Sequence, residues 1–399
     1  MSDGVLRIGV AGLGRAFTLM LPTFVSDTRV RLVAAADPME HARAQFRSDF
    51  AAPAYDNVQA LCADPQVQVV YVATPHQLHA EHAQIAAAHG KHLLVEKPMA
   101  HTLEDCSAMI DAANRAGVQL LIGHSHSFDA PILRTRALID SGRFGAVQMI
   151  SAMNFTDFLY RPRRIEELDT RSGGGVVHSQ ASHQIDILRL LGGGLVRGVT
   201  ARTGAWDPQR PTEGAYQALL DFANGAFASA TYSGYAHYDS DALMGGIGET
   251  GQPRDPADYG AARRRLAGST GAQQEALLKA ARNYGGARYT DSALRHPELA
   301  HPHFGHIVVS CEGADLRPTP NGVEVFADAQ RSFEAIAAPV VARSEVIDEL
   351  AAAVLEGRAP LHSGAWARAT TEVCLAILES SRSRSTQPLG LQVGLPQAP

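Results

Sequence analysis

The sequence predicts an α/β protein in two parts. The first is a nucleotide-binding domain built on parallel strands, and the second is an α+β domain with a large, open, mainly antiparallel sheet. Three observations carry this expectation. Short apolar runs alternate with helix-compatible stretches over the first third of the chain, a glycine-rich turn follows the first of those runs, and beyond residue 127 the pattern changes to alternating apolar and polar positions.

Residues 6–11 (LRIGVA) read as a buried strand that runs directly into Gly12-Leu13-Gly14-Arg15-Ala16-Phe17 and then into a helix. Gly12 permits the tight turn, and Gly14 lets backbone amides approach a pyrophosphate where the helix dipole favours negative charge, with Arg15 and Ala16 opening the helix. The third position of the G-x-G-x-x-G pattern is Phe17, so helix–strand packing there must be arranged differently. A second strand over 30–36 ends in Asp37. A carboxylate in that place accepts hydrogen bonds from an adenosine ribose diol and repels a 2′-phosphate, so NAD is expected rather than NADP. Helices over 39–49, 77–89 and 103–115 alternate with strands over 67–73, 92–95 and 118–123. Ligands bind such parallel sheets beyond the carboxyl ends of the strands, which places Thr74, Pro75, His76, Glu96 and Lys97 beside the cofactor, with His79 in the helix that follows.

After a helix over 129–141, alternation at 147–155, 196–203, 216–222 and 226–232 predicts an antiparallel sheet, with Asn224-Gly225 as a hairpin signal. Helical patterns return at 182–191, 344–356 and 366–380. Residues 236–302 read as an insertion or lid on this domain, carrying a basic helical piece whose Arg263-Arg264-Arg265 is expected on a solvated face. The expected boundaries are a nucleotide domain over 1–126 and a substrate and oligomerisation domain over 127–399.

Composition narrows the function. A chain of 399 residues has room for two domains. With 35 basic against 41 acidic residues the net charge is −6, which disfavours nucleic acid as a main partner. No apolar run approaches the roughly 18 residues of a membrane span, and the first residues lack a signal-peptide pattern. The four cysteines are scattered with no C-x-x-C, as suits free thiols in the cytoplasm.

The strand–Gly-Leu-Gly–helix start, the Glu96-Lys97-Pro98 element, and Gly173-Gly174-Gly175 followed by His183 and Asp186 resemble the glucose–fructose oxidoreductase/inositol dehydrogenase (Gfo/Idh/MocA) family. The resemblance covers nearly the whole chain. The stretches 12–24, 154–168 and 179–191, with the insertion ending in His301-Pro302-His303-Phe304-Gly305-His306, are similar to one branch. That branch comprises cis-dihydrodiol dehydrogenases of carboxylated arene diols, of the phthalate 4,5-dihydrodiol and carboxy-chloro-dihydroxycyclohexadiene type. The resemblance implies NAD as cofactor, a carboxylated cyclic diol as small-molecule substrate, and a homo-oligomer, dimer or tetramer, paired through the open sheet face. It also implies a lysine–aspartate–histidine set at the nicotinamide. Lys97 and His183 match two of its positions, whereas Ser179 stands where the aspartate is expected.

Chemistry supports the two that match. Removing hydride from a carbinol carbon requires that the hydroxyl proton leave to a base within hydrogen-bond reach. A desolvated lysine beside a cationic nicotinamide gives up its own proton readily enough to serve, and His183 can share the task, with Asp186 one turn on able to orient it. On the substrate side, Arg161 and Arg163 are candidates to fork a carboxylate, and Ser179, His183, His301 and His303 to contact the substrate. His124, His126 and His178 stand near the same place by sequence. The H-x-H-x₂-H spacing at 301–306 is no metal signature, so no metal is expected. Two alternatives stand beside the diol dehydrogenase: a sugar or cyclic polyol dehydrogenase of the same family, and a non-catalytic NAD-binding regulator.

Overall fold

The protein is described from a computed structural model at residues 4–123, 126–235, 237–268, 271–289 and 300–396. Its contacts divide it into two units. The first takes residues 4–123, 277–289 and 341–368, and the second the remaining described residues.

In the first unit the chain alternates strictly: β1 (Leu6–Ala11), α1 (Arg15–Ser26), β2 (Val30–Ala36), α2 (Glu40–Phe50), β3 (Ala54–Tyr55), α3 (Val58–Ala63), β4 (Val69–Val72), α4 (His79–Ala88), β5 (His92–Glu96), α5 (Leu103–Ala116) and β6 (Leu120–Gly123). The six strands form one sheet in the order β3-β2-β1-β4-β5-β6, every pair parallel. Val69, Val70, Tyr71 and Val72 are all buried, which is why β4 reads as a continuous apolar run and not as an alternation. β3 and α3 are too short to show a period and were not anticipated.

The packing problem set by Phe17 is solved by residues far along the chain. Its ring is fully buried against Phe46 of α2 (centroids 6.4 Å) and meets Tyr284 edge-on at 5.1 Å. The Tyr284 hydroxyl donates to Asp49, and its ring also meets Tyr289 at 5.2 Å. Residues 277–289 thus pack on the nucleotide unit, whereas the sequence assigned them to an insertion on the sheet domain.

The second unit holds α6 (Ala130–Asp140), β7 (Val147–Phe155), α7 (Ser182–Gly192), β8 (Val196–Gly204), β9 (Ala215–Phe222), β10 (Phe227–Ser233), α8 (Ala261–Ala267), and then β11 (His306–Cys311), β12 (Ala314–Thr319), β13 (Gly322–Ala327), β14 (Arg331–Ala335) and β15 (Gln387–Pro388). Its nine strands run β14-β13-β12-β11-β7-β10-β9-β8-β15. All neighbours are antiparallel except β7 and β10. The sheet is thus mainly antiparallel, as expected, with one parallel pair at its centre. The helical crossover through α7 followed by the β8–β9–β10 meander returns β10 in the direction of β7. α6 and α7 cover one face. The other carries exposed Met149, Leu219, Phe227, Phe326 and Phe333. β11 to β14 nearly double the sheet beyond what was anticipated. Arg263 also departs from expectation. Its guanidinium lies 3.6 Å over the Tyr160 ring and donates to the Tyr235 carbonyl, while Arg264 and Arg265 are exposed.

Candidate active site

On the nucleotide unit the turn after β1 has the geometry a pyrophosphate needs. Gly12 sits at φ +96, and a Cβ there would lie 2.8 Å from the Ala73 carbonyl oxygen and 2.9 Å from the Thr74 nitrogen, so no other residue fits the turn. Gly14 caps α1 with open space where a Cβ would project. Gly14 offers the helix no side-chain cap and the first turn holds no acid, so the positive end of the helix dipole suits an anion. Arg15 is exposed and Ala16 half-buried beside it. The Asp37 carboxylate is fixed by two backbone donors, Leu13 N–H to Oδ2 and Met39 N–H to Oδ1, each at 2.8 Å. The turn, the uncapped helix and the carboxylate together fit a dinucleotide.

The loops after β4 and β5 are joined by one buried imidazole. His79 Nε2 lies 3.0 Å from the Thr74 carbonyl oxygen and Nδ1 3.0 Å from that of Pro98. Burial pushes its pKa down to about 4, so the ring is neutral; it donates its single N–H to one of the two carbonyls and is packed against the other, wedged between the two loops. Thr74 Oγ1 meets His82 Nδ1 at 3.0 Å, Pro75 is exposed, and the His76 ring packs on His101 with centroids 4.3 Å apart. Glu96 accepts the Tyr71 hydroxyl at 2.5 Å, and burial holds its carboxyl above the usual range. Lys97 follows it half-buried at the end of β5, and the Lys97–Pro98 peptide is cis.

On the sheet unit, the glycine run shapes the approach to α7. Gly175 lies at φ +85, where a Cβ would fall on the Glu213 carboxylate. Glu213 is bonded to the Val177 amide and to Thr170 and Thr212, so the run is packed around a buried acid. The chain then passes through a π-helical turn, where Ser179 donates to the Gly175 carbonyl. His183 follows at 6% exposure. Its ring meets His126 at 4.8 Å and 74°, and Phe304 at 5.0 Å; His126 and Phe304 are themselves 5.1 Å apart. His126 Nδ1 lies 2.9 Å from the carboxylate of Asp129. Asp186 accepts the Thr370 hydroxyl at 2.6 Å, and Arg189 donates to that same hydroxyl oxygen.

The arginines and the late histidines are engaged elsewhere. Arg161 pairs with Asp157 at 2.7 Å and with Glu249 at 3.2 Å. Despite burial, the charge of Arg161, with His126 and His303, holds the Glu249 carboxyl below its ordinary range. Arg163 stacks 3.5 Å over the Phe158 ring, donates to the Phe158 carbonyl, and has Glu167 no closer than 3.8 Å. Burial pulls its guanidinium down to about 10, as befits a cation with poor compensation. It lines a cleft of about 660 Å³ with Arg210, Glu275 and Leu266, which His126, His183 and Phe304 do not line. His301 Nε2 donates to the Ala337 carbonyl at 2.8 Å. His303 accepts the Gly305 amide at Nδ1 and donates to the Ile247 carbonyl from Nε2, so both its nitrogens serve backbone. His306 accepts from Arg317. His124 lies outside the described residues.

Sequence reasoning did not single out Asp129, Phe304, Tyr232 or Glu249. Tyr232 stacks on Phe304 at 6.0 Å and bonds Thr156, while Glu249 reaches Arg161 from 88 positions on. The spacing of His126 and Asp129 was available as a signal, but their burial was not.

The family model for the oxidoreductase family with NAD-binding Rossmann fold matches residues 6–124, and that for the GFO/IDH/MocA C-terminal domain matches residues 132–252. The 1-carboxy-3-chloro-3,4-dihydroxycyclohexa-1,5-diene dehydrogenase of Comamonas testosteroni is 52% identical over 380 residues, 94% of this chain and 95% of that one. Levoglucosan dehydrogenase of Pseudarthrobacter phenanthrenivorans is 29% identical over 52% of this chain and 56% of its own. Among solved structures, a putative dehydrogenase from Bordetella bronchiseptica superposes with a TM-score of 0.90 at 39% identity, covering 96% of this chain and all of that one.

Proposed function

The chain belongs to the oxidoreductase family with an NAD-binding Rossmann fold and is an NAD-dependent dehydrogenase, and from that premise we propose that it oxidises a carboxylated cyclic cis-dihydrodiol, of the phthalate 4,5-dihydrodiol type, to the corresponding catechol. The observation that carries the substrate class is the 52% identity, over 94% of the chain, to a dehydrogenase named for a carboxylated cyclohexadiene diol.

Bound NAD supplies the hydride acceptor. Gly12, Gly14 and the amides of α1 hold its pyrophosphate, and Asp37 takes the ribose diol. Lys97 and His183 handle the proton. As the carbinol C–H bond gives up its hydrogen with the electron pair, the O–H bond yields its proton to the Lys97–His183 pair, with Lys97 hydrogen-bonding the developing alkoxide and His183 accepting the proton, and a C=O bond forms. The ring ketone then tautomerises, the neighbouring carbinol C–H proton leaving as the carbonyl oxygen takes one up, and the aromaticity gained draws the reaction towards oxidation. His79 keeps the Lys97 loop in register with Thr74. Arg161 already holds two carboxylates, and Arg163 is committed to the Phe158 ring and carbonyl and opens on a cleft that His183 does not line, so neither is ranked ahead of the other as the anchor for the substrate carboxylate. The expected dimer or tetramer would form through the sheet face bearing Met149, Leu219 and Phe227.

A sugar or cyclic polyol substrate is the second reading, favoured by the levoglucosan dehydrogenase relative. NADH formation with phthalate dihydrodiol, set against inositol, glucose and levoglucosan, decides between them, and equal or faster turnover of the sugars would overturn the diol assignment. Lys97→Ala is expected to retain NAD and lose about 10²- to 10⁴-fold in kcat. Unchanged turnover would remove Lys97 from the mechanism.

A further inference from the structure

We propose that Asp129, acting through His126, is the positioning carboxylate of the site: it anchors the imidazole that abuts His183 and supplies the negative charge that stabilises the imidazolium formed when the substrate proton arrives. This rests on the reading of His183 as a proton acceptor.

The geometry is that of a closed box. The His126, His183 and Phe304 rings lie within 4.8 to 5.1 Å of one another, all three buried. Asp129, 4% exposed, holds Nδ1 of His126 at 2.9 Å. A neutral His126 that donates Nδ1–H to the carboxylate has its lone pair at Nε2, and its ring can neither tip nor spin without breaking that bond. His183, meeting this ring at 74° and Phe304 on another side, is oriented in turn.

Charge balance gives the second half. The box holds the Asp129 carboxylate beside the imidazoles of His126 and His183. A proton taken from a hydroxyl adds positive charge to the imidazoles, and the buried carboxylate held 2.9 Å from His126 Nδ1 offsets it; replacing Asp129 by a neutral residue removes that offset. The other ionisable groups around the box are engaged. Glu249 is paired with Arg161, Asp186 is bonded to Thr370, His303 has both nitrogens on backbone, and the Tyr232 phenol is held far above its ordinary range by burial. At position 179, one turn before His183, the side chain is a serine bonded to Gly175, which brings no charge.

The test is Asp129→Asn, which keeps shape and removes charge, with His126→Gln as the second variant and thermal melts to verify folding. The first readout uses the enzyme without substrate: ¹⁵N-histidine side-chain titration of the full chain. Loss of a carboxylate within hydrogen-bond distance is expected to lower the titration of the imidazole pair by about one pH unit or more. The second is the pH profile of kcat/KM with NAD and the diol. Its acid limb is expected to move to lower pH with the imidazoles, while the plateau falls about tenfold or more because the acceptor is weaker. An unshifted titration overturns the proposal whatever the substrate proves to be. So does a fall in rate with an unmoved limb, which would mean that Asp129 only holds structure. A shifted titration in an enzyme that oxidises none of the diols would leave the charge assignment standing and refute the substrate reading alone.

Discussion

Replacing Asp37 by serine is expected to change which dinucleotide the enzyme uses. The carboxylate receives the amides of Leu13 and Met39 at 2.8 Å each, so it is held rigidly at the end of β2. A 2′-phosphate brought to about 4 Å from it is repelled by roughly 1 to 4 kcal/mol per unit charge, between the limits of water and a protein surface. Removing the carboxylate also sacrifices a charged hydrogen bond to the ribose diol of NAD, about 1.5 to 3 kcal/mol. At 1.4 kcal/mol per tenfold, kcat/KM with NAD should fall roughly 10- to 100-fold. With NADP it should rise by about 10-fold or more, because the two freed amides then face a phosphate. Arg43 limits the gain: its guanidinium donates to the Asp37 carbonyl at 2.6 Å and pairs with Glu40 at 2.5 Å. Adding Glu40→Gln frees that cation and should improve NADP use further. The assay is kcat/KM for both dinucleotides with one fixed diol. An unchanged NAD-to-NADP ratio in Asp37→Ser would refute the reasoning and leave Asp37 as a brace of the loop alone.

Two further perturbations test the fold around the sites. Burial, with the charges of Asp239 and Glu249, pushes Asp241 to about 7 against the pull of Arg254. A carboxyl whose folded pKa is raised binds its proton more tightly when folded, so the stability it contributes is fully present below about pH 4 and is lost as pH rises through 7. Asp241→Asn should remove that dependence, with urea unfolding diverging from wild type by up to roughly 4 kcal/mol across this window, whereas parallel curves would show Asp241 ionised throughout. Tyr284→Ala removes a fully buried ring against Phe17 and Tyr289 and should cost about 3 to 5 kcal/mol in chemical denaturation, with weaker NAD binding, while Tyr284→Phe should cost only about 1 kcal/mol. A stable Tyr284→Ala protein would mean that the segment does not support the nucleotide turn.

What could be read in the sequence follows from how far apart the cooperating residues lie. The nucleotide unit was legible strand by strand because each parallel strand is buried on both faces and each glycine of its turn acts locally. Gly12 meets Ala73 and Thr74, and Asp37 closes on Leu13. The later sheet was harder. In β12 and β13 only alternate positions such as Leu316, Val323 and Val325 are buried, and the open side carries Asp315, Arg317 and Glu324. The apolar run that marks β4 never develops there, although the tight turn at Asn321-Gly322 was a usable signal.

The same reasoning explains the site. A lysine at a strand end and a histidine on a helix are properties of single elements, so both could be named from sequence. Whether a particular arginine is available to a substrate depends instead on what faces it, and the partners of Arg161 include one from a distant segment. Asp157 is four residues away, but Glu249 arrives from the 239–254 segment, which also brings Asp241 and Arg254 together. His301 and His303 look like ligands in a linear string, yet in the fold the nearest polar atoms are carbonyls of residues 337 and 247. A buried imidazole with no other partner takes a backbone carbonyl, because leaving its N–H unpaired costs about 1 to 3 kcal/mol. Histidine density is therefore a poor guide to chemistry in this chain. The better guide is a histidine that faces a buried carboxylate and another imidazole, which among the described residues is the arrangement of Asp129, His126 and His183.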